Sequence, residues 1–151
     1  MHKTWVIALV AVSVSSLAVA GTMAPSEVAF KDGAVGTSLT GVPGDPVKGK
    51  EWFVGRKLGN CLACHQNSDA KNESFHGEVG PILDGVASRW TEAELRGIVV
   101  NSKMMFDGTI MPAFYKDSGY NLPLDKFAGK TILEAQQVED IVAYLMTLKE
   151  E

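Results

Sequence analysis

The chain has 151 residues, 46% of them hydrophobic and 21% charged, a balance that suits one ordinary globular domain and excludes disordered, collagen-like and coiled-coil readings. With 14 basic against 18 acidic residues the net charge is −4, so the broad basic surface that holds a nucleic-acid backbone is absent and no nucleic-acid partner is expected. Two cysteines, Cys61 and Cys64, exclude a disulfide-stapled miniprotein, and any thiol chemistry must pass through that pair.

Met1-His2-Lys3 is a short basic start, Thr4 to Val14 is almost purely apolar, and Ala18-Val19-Ala20 is a small-x-small site before Gly21. Together they predict a cleavable secretory signal over residues 1–20. The apolar run reaches only about 15 residues, short of the roughly 20 that cross a bilayer, so no membrane span is expected once the signal is removed. Export implies an oxidising compartment. Residues 21–44 carry Gly or Pro at Gly21, Pro25, Gly33, Gly36, Gly41, Pro43 and Gly44 without helical periodicity, and read as an extended arm that wraps a surface. The globular domain is expected over residues 45–151.

That domain opens with Asp45 as N-cap and Pro46 at the first helical position, predicting a helix to about Leu58. Val47, Phe53, Val54 and Leu58, with Trp52 beside them, form its apolar side and leave Lys48, Lys50, Glu51 and Lys57 for solvent. Gly49 costs roughly 1 kcal/mol relative to Ala in a helix, which points to a close contact with another helix. Next comes Cys61-Leu62-Ala63-Cys64-His65, a C-x-x-C-H and the attachment motif of c-type haem. Cysteines three apart on one helical turn reach the two vinyl groups of one porphyrin edge, and His65 then ligates iron through its imidazole. A thioredoxin-like dithiol expects a preceding βαβ pattern that the chain lacks. Zinc wants further ligands that two cysteines and His76 do not supply.

Gln66 to Gly80 is a polar loop, after which Thr91-Glu92-Ala93-Glu94 is a capping box opening a helix with Leu95, Ile98 and Val99 on one face. Arg89 and Trp90, just ahead of it, are candidates to hydrogen-bond a haem propionate. Lys103 to Gly129 is a second polar loop. Within it Met111 stands before Pro112, 46 residues past His65, where a thioether ligand would favour reduced iron. Its competitors for the sixth position are Met104, Met105 and His76, the last only 11 residues after His65; the plain alternative is a Met that fills a core gap. The final helix is expected from about Leu133 to Lys149, with Val138, Ile141, Val142, Leu145 and Leu148 on one face and Glu134, Glu139 and Asp140 toward its start. Lys103, Lys116 and the acidic residues read as a solvated face. No alternating run proposes a sheet, so the fold class is all-α, with long loops that need something to pack against.

At these residues the chain resembles the class I cytochromes c. The matching pieces are Gly44-Asp45-Pro46-Val47-Lys48-Gly49 with Phe53, the C-x-x-C-H, Gly80-Pro81-Ile82-Leu83, Met111-Pro112-Ala113-Phe114, and Val138 to Leu145. The resemblance implies helices with long loops wrapped around one covalent haem c. It also implies a first and last helix crossing at Gly49, Phe53 and Tyr144, and a Pro81 carbonyl that receives the proximal imidazole N–H. The run Gly80 to Tyr115, through Arg89-Trp90-Thr91, Leu95-Arg96 and Asn101-Ser102-Lys103, is further similar to the SoxX family, the small mono-haem subunits of SoxAX cytochrome complexes of bacterial sulfur oxidation. This implies His65/Met111 ligation, a periplasmic location and a SoxA-type cytochrome partner, which the arm would embrace.

The resemblance also implies a role in an L-cysteine S-thiosulfotransferase complex that joins thiosulfate oxidatively to a thiol carrier of the SoxYZ type, with electrons leaving to a downstream cytochrome. Both thiols being committed to haem, this chain has no cysteine left for a sulfur substrate. The alternatives are a free-standing diffusible cytochrome, and a haem enzyme or gas sensor with an open iron site, against which Met111 speaks.

Overall fold

The structure is a computed structural model and describes residues 21–150; the predicted signal, residues 1–20, lies outside the described residues. Four α-helices occur among them: α1 (Pro46–Val54), α2 (Val86–Arg89), α3 (Glu92–Asn101) and α4 (Ala135–Leu145). Single 3₁₀ turns punctuate the loops, and the nearest thing to a strand among the described residues is an isolated bridge between Lys31 and Ala34. No described helix is long and apolar enough to cross a membrane.

The caps form as their chemistry dictates. Asp45 Oδ1 accepts from the backbone N–H of Val47 (2.9 Å) and Lys48 (3.3 Å), satisfying donors that a helix start leaves free. Thr91 and Glu94 cap α3 reciprocally, Thr91 N–H donating to Glu94 Oε2 (2.8 Å) and Glu94 N–H to Thr91 Oγ1 (3.3 Å). Where the helices stop differs from expectation. α1 ends at Val54 rather than Leu58, because Gly55 turns extended and its carbonyl then takes the N–H of Leu58 and Asn60, a tight turn that delivers the chain to Cys61. Val47, expected on the apolar side, is 70% exposed; Gly49 and Phe53 are the residues α1 buries. α4 is shorter than the predicted 133–149. The N–H groups of Ile132 and Leu133 are both taken by the Phe114 carbonyl (3.0 Å each), and past Met146 the chain closes with Leu148 N–H on Leu145 O (3.1 Å). Leu133 and Leu148 are nevertheless buried, so the apolar period outruns the hydrogen-bonded helix at both ends. The one-turn α2, begun by Gly85 at φ 67°, has no counterpart in the sequence reading.

α1 crosses α4 at Gly49, where a Cβ would overlap the Asp140 carbonyl. Beside this crossing the rings of Phe53 and Tyr144 meet edge to face, centroids 5.3 Å apart. Residues 21–44 lie over the chain's own α3 and α4. Val35 (1% exposed) and Leu39 (0%) enter the core, Val35 N–H donates to Ala93 O (2.9 Å), and Gly97 admits the Gly33 carbonyl where any side chain would collide.

Glu139 and Asp140, expected on a solvated face near the helix start, are buried. Glu139 accepts from Arg96 Nε (3.0 Å) and Nη2 (3.0 Å) and from the Leu39 N–H (2.8 Å), while Arg96 Nη1 donates to Val35 O (3.1 Å) and Nη2 also pairs with Glu92. One ion pair thus ties the arm, α3 and α4 together. Burial works against the Arg96 charge, but the Glu139 and Glu92 carboxylates outweigh it and hold the guanidinium above its ordinary pKa. Asp140 accepts from the N–H of Asp45 (2.9 Å) and from the Trp52 indole (3.3 Å). Removing one member of a buried pair leaves the other charged with little to balance it, for Arg96 only the exposed Glu92. Glu139→Gln is therefore expected to cost about 3–5 kcal/mol in urea unfolding; a loss below about 1 kcal/mol would show the pair to contribute no more than a surface one.

Candidate functional site

Asn60, in the left-handed region at φ 48°, starts a 3₁₀ turn over Cys61–Ala63, and the N–H groups of Cys64 and His65 both return to Cys61 O (3.1 and 3.0 Å). The turn sets the two thiols on one short loop, free and partly buried, with Leu62 pinned in the core. The following loop is laced onto this turn. Gly77 N–H donates to Leu62 O (2.7 Å), Gly80 N–H to Cys64 O (2.7 Å), and Leu83 N–H to Gln66 O (3.0 Å).

His65 Nδ1 lies 2.7 Å from Pro81 O. A carbonyl only accepts, so Nδ1 carries the proton and donates, which leaves Nε2 as the basic nitrogen. Among the described residues Nε2 has no hydrogen-bond partner. The ring rests on Gly80, where a Cβ would stand 2.7 Å from Nδ1 and 2.8 Å from Nε2. Gly80→Ala is expected to push the imidazole off Pro81 and to lower the midpoint of haem-loaded unfolding. A Gly80→Ala variant with unchanged haem spectrum and stability would contradict that packing.

Arg89 serves the same loop. Its Nη1 donates to Asp84 O (2.7 Å) and its Nη2 to Ile82 O (3.0 Å), with Glu150 3.8 Å away, so the guanidinium braces the segment just past Pro81. Trp90 is partly buried, its ring edge-on to Phe106 at 5.8 Å. Met111 is partly buried against the core, on the segment leading into buried Ala113, Phe114 and Tyr115. Its competitors are otherwise placed. Met104 is half exposed, and Met105 lies against Gly33 of the arm. The ring of His76 is engaged at both nitrogens, Nδ1 accepting from Asn67 N–H (3.2 Å) and Nε2 donating to Ala70 O (3.1 Å).

The loop after His65 is held by a polar network that sequence reasoning missed. Buried Asn67 donates from Nδ2 to Tyr144 Oη (2.8 Å), Tyr144 donates to Asp69 Oδ2 (2.7 Å), and Lys50 Nζ reaches the same carboxylate oxygen at 2.8 Å. The Lys50 and Tyr144 bonds hold the Asp69 carboxyl below its usual range, while burial and the Asp69 carboxylate push the Tyr144 phenol up. Partners separated by 75 and 77 residues leave no local pattern; the one available signal was Tyr144 interrupting an apolar helix face.

The residues fit a haem better than the rival uses of a C-x-x-C. Burial pushes the Cys61 thiol up to about 12, with Cys64 adding to it, opposite to the lowered pKa of a redox dithiol. Exposed apolar side chains stand on both flanking segments, with Phe75 62%, Val79 66% and Ile82 48% exposed on one and Ile110 79% beside Met111 on the other. An apolar macrocycle gives such residues something to cover. Two thiols on one turn, an imidazole aimed by a carbonyl, and terminal helices crossing at a glycine define a mono-haem c-type cytochrome of class I.

The comparisons agree. The cytochrome c family model matches residues 46–149. A chain of the crystal structure of SoxXA from P. pantotrophus is 52% identical at a TM-score of 0.81, covering 86% of this chain and 100% of that one. No curated protein sequence matches significantly. The chain belongs to the cytochrome c family as a SoxX-type class I cytochrome, and it carries one covalent haem c.

Proposed function

We propose that this chain is the mono-haem electron-transfer subunit of a periplasmic complex with a SoxA-type cytochrome, acting in the oxidative coupling of thiosulfate to a cysteine of a SoxYZ-type carrier. The observation that carries the reading is the 52% identity over the whole of a chain from a SoxXA complex. Cys61 and Cys64 hold the haem by thioethers. His65 ligates its iron, oriented by Pro81, and Met111 supplies the sixth ligand. The bonded state of both His76 nitrogens supports Met111 over His76. Bound there, haem supplies a one-electron ferric/ferrous couple.

Coupling thiosulfate to a thiol forms a sulfur–sulfur bond and releases a proton and an electron pair, so an acceptor is required at each turnover. This chain has no cysteine beyond the haem pair. The sulfur chemistry therefore belongs to its partner, and this subunit passes electrons toward a downstream cytochrome.

The test is reconstitution. Mixed with its SoxA-type partner and the thiol carrier, the haem-loaded chain should be reduced on adding thiosulfate, and alone it should not. It should also co-purify with the partner. A monomeric native protein, a persulfide or thiosulfonate adduct on the isolated chain, or full activity of the partner without it, would each overturn the assignment.

A further inference from the structure

Three hydrogen bonds converge on the peptide of Met111. Its carbonyl accepts from Ser102 Oγ at 2.9 Å and from Lys103 Nζ at 2.5 Å, and its N–H donates to Thr109 Oγ1 at 3.3 Å. Lys103 Nζ also reaches Thr109 O (3.2 Å), so one ammonium spans the turn before Met111. The two donors are presented by a 3₁₀ turn, Ser102–Met104, that continues α3; Asn101 opens it by accepting the Lys103 N–H on its side chain (3.3 Å). Ser102 is completely buried, and its own carbonyl is taken by the N–H of Met105 and Phe106. Just downstream, Phe114 and Tyr115 donate their N–H groups to Val99 and Val100 at the end of α3 (3.3 and 3.1 Å). The expectation that Lys103 merely belongs to a solvated face is thus incomplete: its chain is exposed, but its ammonium is bound to two backbone carbonyls.

We propose that Ser102 and Lys103 are positioning residues for Met111, holding its peptide to the end of α3 so that the thioether stays presented to the haem iron. This rests on Met111 being the sixth ligand. An irregular loop has many backbone states, and a ligand carried on it is bound only for the fraction of time the loop holds the right one. Hydrogen bonds to the carbonyl of the ligating residue itself act directly on that fraction. Bonds from a charged donor are the stronger kind, so Lys103 contributes more than Ser102.

The experiment uses the full haem-loaded chain and adds imidazole to the ferric protein, because imidazole binds iron only when the thioether is off. Lys103→Leu should raise imidazole affinity about tenfold and Ser102→Ala about fivefold, the shifts expected for losing a charged and a neutral hydrogen bond. The long-wavelength ferric band of His/Met ligation should be lost at correspondingly lower imidazole concentrations. Lys103→Arg, whose fork keeps donors within reach of both carbonyls, should restore the wild-type affinity. The unfolding free energy of Lys103→Leu should fall by no more than that same tenfold, about 1.4 kcal/mol, because the exposed side chain acts only on the closed loop. Unchanged imidazole affinity in both variants overturns the proposal, as does a loss of global stability larger than the imidazole shift or an increase that Lys103→Arg fails to reverse. A wild-type protein that lacks the band overturns the Met111 ligation itself, an outcome distinct from a band that is present and insensitive to both replacements.

Discussion

Replacing Cys61 and Cys64 together by Ser should leave a chain with no haem on denaturing electrophoresis. A hydroxyl does not form the thioether that a thiol forms with a vinyl group, so nothing holds the macrocycle once the chain unfolds. Each single replacement should retain haem through the other sulfur, at reduced yield, because the two thiols sit on the same turn and each can be reached alone. The effect should extend to folding. A covalently held apolar macrocycle adds buried surface to the folded state alone, so the double variant should unfold at a lower midpoint than the haem-loaded chain. Haem staining that survives the double replacement would contradict attachment through this pair.

Met111→Ala should abolish the long-wavelength charge-transfer band of the ferric protein and lower the reduction potential by on the order of a hundred millivolts or more, because a thioether favours the ferrous state and its loss opens the iron to water or a harder base. Spectroelectrochemical titration of the two proteins side by side measures both. The expectation has a defined competitor. For His76 to take over, its ring must give up the Asn67 N–H and the Ala70 carbonyl, at about 1 kcal/mol net for each bond. A wild-type protein without the band and with the spectrum of two nitrogen ligands would show that iron ligation outweighs this cost and that Met111 only packs.

Much of the site was legible because it is local chemistry. A C-x-x-C-H places its three groups within one turn, so the spacing points to haem, and the missing βαβ pattern and zinc ligands exclude its rivals. Asp45-Pro46 and Thr91-x-x-Glu94 open helices for the same reason, since cap and donors lie within three residues. Gly49 was readable as an approach because a helix that tolerates glycine on its inner face needs the space, and the Asp140 carbonyl occupies it.

What tertiary structure alone decided are features whose two halves are far apart in the chain. By sequence Glu139 falls in the first half of the last helix, where a carboxylate is ordinarily left in water; in α4 it lies past the first turn, beyond the reach of the dipole. Its burial follows only from Arg96, 43 residues earlier, and from the backbone of Leu39, 100 residues earlier, being brought to it. Val47 fits an apolar stripe by periodicity, yet α4 crosses α1 on the Gly49 and Phe53 side and leaves Val47 outside. The arm's glycines and prolines read as extended chain with a surface to wrap. That the surface includes the chain's own α3 and α4 depends on Val35 and Leu39 filling a core assembled by those helices. Local sequence determined the cofactor and where α1 and α3 begin, because caps and attachment act within a turn. Where helices end, which charges are buried and what holds Met111 depend on packing between distant segments, and no window of neighbouring residues contains that information.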